Sequence, residues 1–179
     1  MAKQVDTTYG NALFELALEE GRLDDLYEEA QVLVEILRDK ADFIKILNHP
    51  HVDKEEKKRV IEDTFKNRIS DELTGLMVML MEKGHSDKIT NVFDYFIRLV
   101  KKQKNIGVAD VTSAVDLSDM QKADIEKRLI ETTAYDTMEI SYRVDTSLIG
   151  GLIIRIEDRV VDSSIRTKLD AMSKSLAKA

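Results

Sequence analysis

From about Thr7 to about Asn105 apolar residues recur at three- and four-residue intervals, the spacing of amphipathic helices, and the single Pro50 is the clearest break in it. The first predicted helix runs from about Thr8 to Glu20. Tyr9, Ala12, Leu13, Leu16 and Ala17 form one stripe on it, Phe14 and Leu18 a second, and Gly21 supplies the stop. Two stripes are more than one buried face requires. The second helix carries Leu23, Leu26, Tyr27, Ala30, Leu33, Val34 and Leu37 at regular helical spacing, and a short third carries Phe43, Ile44 and Leu47 before His49-Pro50. Asp53-Lys54-Glu55-Glu56 has the acceptor-x-x-Glu form of a capping box and predicts a fourth helix with Val60 and Ile61 inward. Ser70-Asp71 predicts the cap of a fifth, whose Leu73, Leu76, Met77, Val78, Met79, Leu80 and Met81 surround most of its circumference before Gly84. Such a helix is either central or faces a partner. The sixth, from about Asp87 to Lys102, returns to a clean stripe of Ile89, Val92, Phe93, Phe96, Ile97 and Val100.

After Gly107 the spacing changes to strand-like runs, which marks the best domain boundary. Val108 to Val115 predicts a strand, and Ser118-Asp119-Met120-Gln121 a capping box opening a helix to about Thr133. Met138, Ile140, Tyr142 and Val144 alternate as a half-buried strand. The run around Gly150-Gly151 and the segment Arg159 to Val161 predict a hairpin with its turn near Glu157-Asp158. A last helix follows, capped by Asp162 or Ser163, with Ile165, Leu169 and Met172 along one face. The fold class expected is mainly α with a smaller α+β part. An N-terminal six-helix bundle (1–105) precedes a small C-terminal α/β domain (106–179) that contains the hairpin.

Composition narrows the function. The chain has 179 residues, 43% of them apolar, which is enough to build at least one core. A net charge of -7 argues against a nucleic-acid partner, because phosphate backbones are bound by clustered Lys and Arg. The absence of cysteine excludes disulfides, thiolate metal sites and a cysteine nucleophile, and fits a reducing compartment. No apolar run approaches the roughly 20 residues that cross a bilayer, and the first residues open onto an amphipathic helix rather than a signal peptide. Membrane association is therefore expected only through partners.

Candidate chemistry is sparse. His49 and His51 are separated from His85 by a helix pair and lack the H-E-x-x-H spacing, so no metal site is expected. Gly84-His85-Ser86-Asp87 holds hydrolase residue types, but adjacent residues cannot fold back into a triad, and a helix stop with a cap explains them. Asp24-Asp25 and Glu28-Glu29 lie on a polar helix side. Gly150-Gly151 matches neither phosphate-loop pattern and runs on as a strand, so these glycines are read as allowing a bulge or a close backbone approach. Met77, Met79 and Met81 suit either a core or an adaptable partner surface.

Two stretches carry a resemblance. Tyr9-Gly10-Asn11-Ala12-Leu13-Phe14-Glu15-Leu16-Ala17 resembles the opening Y-A-x-A-L-F-x-x-A of the delta subunit of F-type ATP synthases, the family of the oligomycin-sensitivity-conferring protein. Asp145 to Arg166 is similar to that family's D-x-S-L-I-G-G-x-x-I-R-I-G-D-x-V-x-D-x-S-I-R, with Glu157 where the family often has Gly and Gly10 where it often has Ala. The resemblance implies a stator subunit that joins the catalytic head to the peripheral stalk, so that proton-driven rotation is coupled to ATP synthesis. It implies no catalytic site and no cofactor. Its partners would be the N-terminal segments of the alpha subunits and the C-terminal end of the b subunit, at the cytoplasmic face of a bacterial membrane. The alpha-subunit helix would lie between the first and fifth helices, against Tyr9, Leu13, Phe14, Ala17, Leu76, Met77, Leu80 and Met81, a helix-in-groove mode. Two rival readings make different predictions. A helical adaptor for one amphipathic peptide would leave the C-terminal domain dispensable. A small hydrolase would require an acidic residue with a strongly displaced pKa in a pocket.

Overall fold

The computed structural model describes residues 2–157 and 159–176. The described residues form eight α-helices and one four-stranded sheet in the C-terminal part, so the protein is mostly helical. Contacts divide the chain into two compact units, Met1–Lys101 and Lys102–Ala179.

In the first unit, α1 (Ala2–Glu19) starts well before the predicted Thr8. Thr7 and Thr8 do not cap it. Their hydroxyls donate to the Gln4 carbonyl one turn back, which lets the helix continue through them. α1 and α5 (Asp71–Glu82) end alike. After α1 the Arg22 amide donates to Ala17 and the Gly21 amide to Leu18; after α5 the His85 amide donates to Leu80 and the Gly84 amide to Met81. With Gly21 at φ +66° and Gly84 at φ +77°, each is a Schellman stop. α2 (Leu23–Asp39), α3 (Ala41–Asn48) and α4 (Lys54–Phe65) lie between them, and a 3-10 turn (Ser86–Lys88) leads into α6 (Ile89–Gln103). The predicted stripes of α2 and α6 are the buried ones: Leu26, Tyr27, Ala30, Leu33, Val34 and Leu37, then Ile89, Val92, Phe93, Phe96, Ile97 and Val100.

Two predicted caps do not form. α4 and α5 begin where expected, at Asp53 and Ser70, but neither side chain bonds its helix. Ser70 is diverted: its amide and hydroxyl both donate to Glu29 Oε2, and Arg22 Nη2 donates to its Oγ at 3.1 Å. A tertiary contact outcompetes the local cap.

In the second unit, β1 (Ile106–Ser113) runs parallel to β2 (Thr137–Val144), with α7 (Asp119–Thr132) as the crossover. β3 (Leu152–Ile156) pairs antiparallel with β1 and makes the predicted hairpin with β4 (Arg159–Asp162), for a strand order of β2-β1-β3-β4. At the turn Glu157 has φ +49°, and Asp158 lies outside the described residues. Here the predicted capping box forms in full. Ser118 accepts from the Gln121 amide while the Gln121 side chain accepts from the Ser118 amide. Ala109, Leu129 and Met138 are the buried centre of a small core, with Ile125, Ile130, Tyr135, Ile140, Ile154 and Ile156 packed around it. α8 (Ile165–Leu176) closes the chain.

Candidate partner-docking surfaces

α1 and α5 are in contact, and their ends are tied by charge. Arg22, just past α1, donates through Nη1 to Glu72 Oε1 at 2.5 Å in the first turn of α5, where the helix dipole also favours a carboxylate. Most of the residues expected to face an alpha-subunit helix lie in the protein's own core. Leu13, Ala17, Leu76, Met77, Leu80 and Met81 are buried, whereas Tyr9 and Phe14 are half-buried and pack against that core. α5 is therefore central over most of its circumference. What these two helices leave open is a smaller apolar set: Leu16, Leu18 and Met79 are 37%, 46% and 47% exposed, with Val78 half-buried. Leu16 and Leu18 belong to the two stripes of the first helix, and Met79 to the methionine cluster. Hydrophobic spacing marked them, but not which side of each stripe stays open.

The Gly150-Gly151 motif is a docking point for the start of α8. The Ile165 amide donates to the Gly150 carbonyl at 2.9 Å, and the Ser163 amide donates to the Leu152 carbonyl at 2.9 Å. Gly151 has φ +81°, and a Cβ there would run into the Ser163 carbonyl oxygen and lie 3.1 Å from Ser164 Cα. This is the close backbone approach anticipated for the pair. Arg166 Nη1 donates to Ser147 Oγ at 3.2 Å, and Asp145 accepts from the Ser147 amide at 2.9 Å. The cap of α8 is neither Asp162 nor Ser163. It is the buried Ser164, whose hydroxyl accepts from the Thr167 amide, while Asp162 accepts from the Ser164 amide and the Thr167 hydroxyl. These bonds to the charged form hold two carboxylates below the usual carboxylate range: Asp145 through Ser147, and Asp162 through the Ser164 amide and then Thr167. The family-like signature is thus a network that fixes where α8 leaves the sheet.

Other chemistry is structural. His49 and His51 sit with ring centroids 5.5 Å apart, but His49 Nδ1 accepts from the His51 amide, which occupies that lone pair. No group of three metal-ligating side chains occurs among the described residues. A cavity of about 510 Å³ lies among the end of β1, α7 and the Gly-Gly loop, lined by Val115, Leu117, Ile125, Ile149 and Leu152, with Asp124 and Arg128 also on its wall. Ser113 on that wall donates to the Val115 carbonyl at 2.7 Å. No helix among the described residues is long and apolar enough to cross a membrane.

Comparison with known proteins gives a consistent result. A family model described as "ATP synthase delta (OSCP) subunit" matches residues 5–176. The chain is 50% identical over 178 residues to the ATP synthase subunit delta of Lachnoclostridium phytofermentans, covering 99% of this chain and 98% of that one. It is 28% identical to the subunit delta of Prochlorococcus marinus strain AS9601, covering 99% of both. Among solved structures, a chain of the Toxoplasma gondii mitochondrial ATP synthase hexamer shares the fold, with a TM-score of 0.76 at 21% identity over 96% of this chain and 97% of that one.

Proposed function

The chain belongs to the ATP synthase delta (OSCP) subunit family, and from that premise we propose how its two units serve the enzyme. It is a non-catalytic subunit, a stator part that links the catalytic head to the peripheral stalk and so lets proton-driven rotation drive ATP synthesis. Holding a head still against torque requires tight interfaces and no acid-base residues.

We propose that the six helices of residues 1–105 act as a bundle that docks the N-terminal segments of the alpha subunits. Residues 106–179 meet the C-terminal end of the b subunit, at the cytoplasmic face of a bacterial membrane. The observation that carries the first contact is the pairing of α1 with α5, tied at Arg22 and Glu72, with Leu16, Leu18 and Met79 still exposed. An amphipathic helix would lay its apolar face on Leu18 and Met79, with Phe14 on the same flank of α1 as Leu18; Leu16, with Tyr9, lies on the other flank. Leu13, Ala17, Leu76, Met77, Leu80 and Met81 then serve as the floor that holds the two helices in place. The test is calorimetric titration of the full chain with a peptide covering the N-terminal helix of the cognate alpha subunit. One-to-one binding with a negative heat-capacity change is expected, weakened about tenfold or more by Leu18→Asp or Met79→Asp and unchanged by Leu169→Ser on α8. Binding untouched by both charge substitutions would place the alpha contact elsewhere.

A further inference from the structure

The last helix, α8, is exposed along its described length. Ser164 ahead of it is buried, yet every residue of α8 whose side chain is described is exposed. Its apolar residues are not scattered. Ile165, Leu169, Met172 and Leu176 follow one another at intervals of four, three and four, and are 42%, 50%, 62% and 78% exposed. Alternating four- and three-residue steps form the narrow seam of a two-helix coiled coil, not the broad stripe of a helix lying on a core. A 12-residue helix is marginal in water without tertiary packing, and hydrogen bonds anchor α8 at its first turn. The bonds of Ile165 to Gly150 and of Arg166 to Ser147 form that anchor.

We propose that this seam is the docking surface for one partner helix, amphipathic and apolar at matching four-three spacing, with acidic residues flanking its apolar stripe. Charge selects that occupant. The seam is bordered by Arg166 and Lys168, and α8 as a whole carries Arg166, Lys168 and Lys174 against Asp170 alone, in a chain whose net charge is -7. Asp170 and Lys174 fall on the side of the helix away from the seam, so the flanks that a partner meets are cationic. An anionic lipid surface is the weaker match. Interfacial helices use a wide apolar face with aromatic residues and many cations, and α8 has four seam residues and no aromatic. The proposal deepens the stalk contact above by naming the face that makes it, and rests on that reading only for the partner's identity.

The experiment uses the full chain and a defined probe: a fluorescent peptide of four heptads with Leu at the two seam positions and Glu at the flanking ones, which repels itself and stays available to pair. A second peptide replaces those Glu residues by Lys. The acidic peptide is expected to bind one-to-one and more tightly than the basic one. Leu169→Ser with Leu176→Ser should weaken it about tenfold or more, and Lys168→Glu about threefold while favouring the basic peptide. All three changes are on exposed side chains, so circular dichroism should match wild type. No binding of the acidic peptide, or binding that ignores the Leu169 and Leu176 changes, overturns the proposal. Co-sedimentation with vesicles containing phosphatidylserine, lost in the Leu169/Leu176 variant without any peptide binding, overturns it in favour of a membrane. A soluble segment of the cognate b subunit separates the two readings. If it binds wild type and the double variant equally, the stalk contact stands and this seam falls; if only the designed peptide binds, the seam stands and the stalk contact falls.

Discussion

Replacing Gly151 by alanine tests whether the signature loop is a backbone joint for α8. The substitution adds three terms. A Cβ at φ +81° costs about 1–2 kcal/mol for the left-handed backbone. Overpacking against the Ser163 carbonyl, whose carbon would lie 3.0 Å away, costs about 1–3 kcal/mol because backbone cannot swing aside as a side-chain tip can. The stiffer unfolded chain returns about 0.4–1 kcal/mol, leaving a net loss of about 1–5 kcal/mol, centred at about 3 kcal/mol. Gly21→Ala is the matched control: its φ is +66° but nothing lies within 4 Å of the added Cβ, so only the first and third terms apply. It should cost about 0–1.6 kcal/mol. Native-state hydrogen exchange read by mass spectrometry gives each unit its own opening free energy, which a single unfolding curve cannot do for a two-unit chain. For Gly151→Ala, protection should fall in β3, β4 and α8 and stay unchanged in α1 to α6. Equal costs for the two alanines would refute the joint.

Three further outcomes follow from particular contacts. Gly10→Ala gains up to about 1 kcal/mol of helix propensity, but its Cβ would sit 2.5 Å from Tyr95 Cδ1; hydrogen exchange in α1 and α6 should show a loss of protection in wild type and a gain in a Tyr95→Ala background. Leu80→Asp puts an unpaired carboxylate at a fully buried site and should abolish the helical fold by circular dichroism, whereas Met79→Asp, one residue away and 47% exposed, should leave it intact. Asp145 and Asp162 have folded pKa values below the ordinary 3.8, so their stabilisation is complete above that pH and is lost as pH falls through the lower folded values. In an amide NMR titration Ser164 and Ser147 should both move below pH 3.8, and Asp162→Asn should silence the Ser164 response alone.

Buried helix faces and glycine stops were legible, though the start of α1 was not: the stripes of α2 and α6 are the buried residues, and the stops at Gly21 and Gly84 lie where glycine relieves a left-handed turn. The cap at Ser118 was legible, whereas those at Asp53, Ser70 and the start of α8 were not. Ser118 forms its box because its partners are local, while Ser70 carries a similar local signal but gives its hydroxyl to Glu29, 41 residues away. Likewise Asp162 spends its carboxylate on Ser164 and Thr167, which moves the cap of α8 to Ser164. Periodicity also cannot say what covers an apolar face. Leu76 and Met77 belong to a helix that reads as either central or facing a partner and are buried by this chain, whereas Ile165, Leu169 and Met172, predicted along one face of the last helix, are left exposed.

The central claim is that one chain bridges head and stalk. Sedimentation of the full chain with the catalytic head subcomplex and a soluble b-subunit segment tests it most directly. The account predicts a ternary complex that forms only when the chain is present, loses the head with Met79→Asp and loses the b segment with Leu169→Ser/Leu176→Ser. Binding of one partner that excludes the other, or no complex with either, would contradict it.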